Sequence, residues 1–290
     1  MRGVVLAALA LLLAPAGRGD AEAAPPAART AYAAALGGRK AETLRAVASL
    51  DDPAALERAL AAGDSGWLLT PRYAALVRFG LWDELIALGP PGDSRAPGLT
   101  AGYLYGRGVA LAARGRLDEA RATLVELERL GAAAGPQMRG GADSLADLVR
   151  VAACVVAARI AASAYAATEA IAALEQAVAA EDRLAPAQPP DWFFPVRDLL
   201  GAQLLLSGRA AQAEAVYRED LRRNPANAWA LYGLTAALRA EGRARAAAAS
   251  ARQFAAAWSN ADVRLSASAF WFPGPDNTRC ECERRGSGDR

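Results

Sequence analysis

The chain has no histidine, a single lysine (Lys40) and only three cysteines among its 290 residues. The first absence excludes the most. Without histidine the usual side-chain acid–base at neutral pH is gone, and with it the common serine and cysteine triads and most zinc sites. Catalysis is therefore not expected, and no cofactor is called for. There is no excess of one charge either: 33 basic and 31 acidic residues give a net charge of +2, with the signs interspersed. That balance argues against nucleic acid or another polyanion as partner. Replacement of lysine by arginine is what a genome rich in G and C produces, and it carries no functional reading. Long hydrophobic runs are missing as well. Val4–Leu13 is the clearest apolar run, well below the roughly 20 residues that span a bilayer.

That run has a different reading. Arg2 gives a positive start, Val4–Leu13 an apolar core, and Ala14-Pro15-Ala16 a small-residue cleavage pattern. Together these make an export signal, cut after Ala16 or, using Ala21 and Ala23, after Ala23. No cysteine follows to carry a lipid anchor, and Arg18-Gly19-Asp20 at the signal's end is a chance tripeptide. Residues 1–23 are thus expected to be a leader and the mature chain to be exported, periplasmic or secreted in a bacterium, with no stable membrane insertion.

What the sequence has in abundance is alanine, the best helix former and small enough for closely packed helices. It also has spaced glycines. Gly80 and Gly115 lie 35 residues apart, Gly208 and Gly242 lie 34 apart, and each ends one apolar helical stretch just before another begins. A period near 34 is that of a helix–turn–helix repeat. The clearest unit runs from Asp191 to Pro225. Gly201 and Ala213 are small where two helices cross, and Gly208 suits a left-handed helix end. Leu200, Leu204, Tyr217 and Leu221 supply an apolar stripe, and Pro225 stops the second helix. Leu234, Leu238, Gly242, Ala247 and Phe254 repeat the pattern. Gly108, Leu111, Gly115, Leu117, Ala120 and Leu124 form an earlier unit. Tyr73, Leu76, Gly80, Trp82 and Leu85 form a looser one. Between Gly115 and Gly208 one more helix pair is expected, near 142–162 and 166–184, with Tyr165 where the turn glycine belongs.

This pattern resembles the tetratricopeptide repeat over residues 67–260, and it is similar to the C-terminal repeats of uncharacterised bacterial proteins of that kind. The fold class expected is all-α, a solenoid of about five helical hairpins. A helical cap or degenerate repeat over 24–66 precedes it, and a capping segment and tail over 261–290 follow. The resemblance implies a non-catalytic scaffold whose concave groove is built mainly from the first helix of each unit. Transferred to this chain, the groove positions include Trp67, Arg78, Tyr105, Arg159, Leu205, Trp229, Tyr232 and Arg239. Aromatic anchors and arginines would suit a peptide or protein segment carrying apolar and acidic side chains. The family's carboxylate clamp is missing, since tyrosine, valine and alanine stand at its positions.

Other chemistry is thinner. Cys280 and Cys282 form a Cys-x-Cys pair beyond the last repeat. It is the basis of an alternative reading as a thiol- or metal-handling protein, although a closed zinc site needs four ligands. Cys154 sits on an apolar helix stripe, where a buried thiol is ordinary. The pairs Asp118-Glu119, Glu181-Asp182 and Glu219-Asp220 are adjacent along helices, so they do not face one another, and they are expected to be solvated. Gly106 and Gly108 lack the third glycine and preceding strand of a dinucleotide site. Phe270-Trp271-Phe272-Pro273 is too apolar for a free linker and is expected to fold back over the end of the stack.

Overall fold

In a computed structural model, the structure describes residues 25–270. The described residues form thirteen α-helices: α1 (Pro26–Leu36), α2 (Lys40–Ala48), α3 (Pro53–Ala61), α4 (Pro71–Arg78), α5 (Trp82–Ala87), α6 (Pro97–Ala113), α7 (Leu117–Ala133), α8 (Leu145–Ser163), α9 (Ala167–Glu181), α10 (Arg197–Leu206), α11 (Ala210–Arg223), α12 (Ala228–Ala240) and α13 (Ala244–Ala257). Two-residue strands, β1 (Arg139–Gly140) and β2 (Asp143–Ser144), pair in the α7–α8 connection. Successive helices pack as antiparallel hairpins that stack in sequence order, so the architecture is an all-α solenoid. The hairpins α4/α5, α6/α7, α10/α11 and α12/α13 turn at Gly80, Gly115, Gly208 and Gly242, and α8/α9 turns at Tyr165.

The turns show why the spacing matters. Gly80, Gly115, Gly208 and Gly242 all have φ between 67° and 74°. In each case the following N–H donates to the carbonyl five residues back, as Arg209 does to Leu204 at 2.8 Å. That closure needs a left-handed residue, and glycine takes the conformation without steric cost. Tyr165 makes the same turn between α8 and α9 with φ 59°, and its side chain is held in solvent at 88% exposure.

The first helix of each hairpin carries most of the buried surface. Residues of α6, α8, α10 and α12 are buried on nearly all sides, whereas α7, α9, α11 and α13 bury one narrow stripe. The first helices therefore enclose an interior. Tyr217 shows how closely the helices approach: its ring lies between Gly201 of α10 and Gly233 of α12, where an added methyl would overlap it.

The stack also closes on itself. Trp229 Nε1 of α12 donates to the Ala35 carbonyl of α1 at 2.8 Å, and Tyr32 donates to Asn224 Oδ1 at 3.3 Å. Asp262 accepts from the N–H groups of Lys40 and Ala41 at 2.5 and 2.8 Å, capping α2 from the far end of the chain. The first and last hairpins are thus in direct contact.

Candidate functional site

Two non-helical segments fill the interior. The first is Trp192-Phe193-Phe194, between α9 and α10. Its position is set by Asp191, whose carboxylate accepts from Ala142 N–H at 2.6 Å and Asp143 N–H at 3.1 Å, and whose carbonyl accepts from Trp67 Nε1 at 2.8 Å. Burial pushes the Asp191 carboxyl up to about 6. Trp192 stacks on Trp67 and meets Tyr105 edge-on at a centroid distance of 5.1 Å. The second segment is Val263–Phe270, which returns from α13 without helical structure. Ser268 donates to the Asp198 carbonyl at 3.0 Å and shares a hydrogen with Tyr217 at 2.6 Å. Phe270 packs edge-on against Trp229 at 5.6 Å and lies over Gly80.

Between these segments lies a buried polar cluster. Arg78 of α4 donates to Asp198 of α10 at 2.8 Å, with side-chain exposures of 4% and 0%. Asn227 donates to Asp198 at 3.1 Å and to Asp220 at 2.7 Å, while its own Oδ1 caps α12 at Trp229 N–H. The Arg78 guanidinium lies 3.9 Å over the Trp229 ring and 5.1 Å from that of Phe194. Burial raises the Asp198 carboxyl against the opposing pull of Arg78. Asp220 is pushed up to about 7, first by burial and then by the charge of Asp198. Beside it Glu181 reaches about 8, again through burial, while accepting from Val196 N–H.

The expected groove residues divide accordingly. Trp67, Arg78, Tyr105, Arg159 and Trp229 do not line an open groove; all five are buried. Trp192 packs on Trp67 and Tyr105, Phe194 lies against Arg78, and Trp258 and Phe270 pack on Trp229. Trp229 is wholly buried, and Arg159 is 1% exposed with its guanidinium 5.6 Å from the Trp82 ring centroid. Burial lowers the Arg159 pKa to about 9. Leu205 and Tyr232 are half-buried, Tyr232 against Phe254, and Arg239 is exposed.

The carboxylate pairs split as well. Asp118 and Glu119 are exposed, on Arg121 and Arg116. Glu181 and Asp220, by contrast, are drawn inward and are not solvated, because each turns toward the interior network while its neighbour, Asp182 or Glu219, meets arginines outside. Cys154 is a half-buried free thiol whose pKa burial raises. Cys280 and Cys282 lie outside the described residues, as do Trp271, Phe272 and the segment expected to be an export signal. Among the described residues no group of three potential ligands is placed to hold a metal ion, and Gly106 and Gly108 serve close packing within α6. No helix among the described residues is long and apolar enough to cross a membrane.

Openings that reach this region include three among the described residues. Two are interior cavities of about 20 and 30 Å³ on either side of Tyr105, Trp192 and Phe194, enough for one or two water molecules each. The third is a cleft of about 560 Å³ at the seam between the first and last hairpins, with Tyr32, Arg39, Arg223, Asn224 and Asn260 among its walls and no carboxylate lining it. Arg39 and Arg223 pair there with Glu42, Glu219 and Asp182 from outside the lining. The seam was not legible in the sequence. Its contacts, Trp229 to Ala35 and Asp262 to Lys40 and Ala41, join residues 194 to 222 positions apart, which no local pattern announces. Comparison of the chain with protein-family models and with curated proteins gives no match.

Proposed function

We propose that this protein is an exported, non-catalytic helical-repeat scaffold of the tetratricopeptide type, which binds a peptide or protein segment along its inner face. One observation carries the reading. The inner face already holds a non-helical stretch of polypeptide, Val263–Phe270, through an aromatic pocket and side-chain hydrogen bonds. A surface that seats its own chain this way has the aromatic anchors and the fixed polar groups that peptide recognition uses. The partner carries apolar side chains for the interior and acidic ones for Arg39 and Arg223 in the adjoining seam cleft. Exposed ion pairs contribute about 0–1 kcal/mol, so an incoming carboxylate can replace Glu42 or Glu219 at little cost.

In-cell photocrosslinking tests the reading. A crosslinking phenylalanine analogue is placed at Phe194, which lines both interior cavities, and, as a control, at Val125, which is 63% exposed on α7. The expected result is a discrete adduct from position 194 and none from position 125. Adducts from position 125 alone, or from neither, would remove the inner face as the binding surface. Export belongs to the same proposal. An N-terminus beginning after Ala16 or Ala23 in envelope-derived protein is its check.

A further inference from the structure

The occupant of the inner face describes its partner. Within Val263–Phe270, Val263 and Leu265 pack against the core, and the C-terminal anchors are Ser268, a buried Ala269 and Phe270. The seat is rigid, because the Tyr217 ring that receives Ser268 is fixed between Gly201 and Gly233. Next to Phe270, the 30 Å³ cavity is lined by Arg78, Trp82, Tyr105, Trp192 and Phe194. Of these lining residues, Arg78 at Nε and Nη2 and Trp192 at Nε1 are buried with no acceptor among the described residues. Buried donors are nearly always satisfied in folded proteins, so each such group needs an explanation. The charge of Arg78 is already balanced by Asp198 at 2.8 Å. A second anion would be in excess, and the acceptor that suits these donors is neutral. A peptide carbonyl is such an acceptor.

We propose that Val263–Phe270 is an intramolecular stand-in that keeps the inner face shut, and that the partner is a non-helical segment of serine–small–aromatic pattern which displaces it. The partner's hydroxyl takes the place of Ser268 on Tyr217. Its ring takes the place of Phe270 on Trp229, and its carbonyl oxygens accept from Arg78 and Trp192. This inference rests on the inner face being the binding surface, and it adds the partner's chemistry and the means of control. A tethered occupant acts at an effective concentration in the millimolar range, so a free peptide meets strong competition until the tether is released.

The probe is a fluorescent, C-terminally amidated peptide with the sequence of residues 264–270, titrated into the full chain by anisotropy. Wild type is compared with the double variant Ser268→Ala/Phe270→Ala, whose own segment has lost its anchors. The double variant is expected to bind at least about tenfold more tightly than wild type. A probe with alanine for its phenylalanine should not bind, and an acidic peptide directed at the seam cleft should not compete. Adding Tyr217→Phe should weaken the probe severalfold. Circular dichroism reports folding, and if the double variant unfolds, Phe270→Leu replaces it with the same direction of change. A folded variant that binds no better than wild type, or binds the alanine probe equally, overturns the inference. A crosslinked partner at position 194 would in that case leave the inner-face reading intact and remove only the stand-in.

Discussion

Replacing Arg78 by leucine tests whether the interior cluster is structural, and its cost can be worked out. The substitution leaves Asp198, wholly buried, with only the Asn227 amide as partner. A carboxylate in that position takes up a proton on folding. Neutralising a group with an unfolded pKa near 3.9 costs about 4 kcal/mol at pH 7 and about 1.5 kcal/mol at pH 5, at roughly 1.36 kcal/mol per unit. The first figure lies within the roughly 3–5 kcal/mol expected for breaking a buried pair, and it corresponds to a fall in melting temperature of about 10 °C. The sign follows from linkage: the variant's folded state binds a proton that its unfolded state releases above pH 4, so the penalty grows as pH rises. Urea denaturation followed by circular dichroism at pH 5, 6 and 7 measures it for wild type and variant. Adding Asp198→Asn should restore most of the loss at pH 7, because no charge is then left unpaired. A penalty below about 1 kcal/mol, or one equal at pH 5 and pH 7, would refute the reasoning. Arg78 would then be a dispensable surface-like charge despite its burial.

Three further outcomes follow from the structure. Tyr165→Gly should stabilise the fold by about 1 kcal/mol by removing a left-handed non-glycine residue, and Gly208→Ala should destabilise by about as much; thermal melts of both variants check the pair. Wild-type stability should rise as pH falls from 8 to 5. The folded chain holds protons on Asp191, Asp220 and Glu181, raised by burial to about 6, 7 and 8, that the unfolded chain has released. Urea midpoints that are flat or fall over this range would contradict it. Asp262→Ala should cost about 1 kcal/mol as a lost helix cap and speed hydrogen exchange in α1 and α2 while leaving α8 and α9 unchanged.

Local features of the chain were legible; long-range cover was not. Glycine at 80, 115, 208 and 242 announces a turn that needs positive φ, and the apolar period between them announces two helices. Even Tyr165 could be assigned to its turn from spacing alone. The face of each helix was harder. Trp229 and Arg78 stand at positions that look outward from their own hairpins, which the repeat pattern assigns to a groove. Whether such a face is open depends on segments that do not repeat. Trp229 is sealed by Ala35, 194 residues away, and Arg78 by Asp198, 120 residues away. No helical periodicity encodes those meetings. Glu219-Asp220 fails in a related way: two adjacent acids on α11 read as a solvated pair, but their side chains diverge, and only Asp220 reaches the polar cluster.

The contact between the first and last hairpins limits how this chain can change over time. In an open stack each unit touches only its neighbours, so duplication or deletion of a unit near an end leaves the rest intact. Here Asp262 must reach the N–H groups of Lys40 and Ala41, and Trp229 must reach Ala35. One added hairpin would carry those partners apart. A change in the number of units would therefore cost these end-to-end hydrogen bonds, whereas substitutions away from them would not.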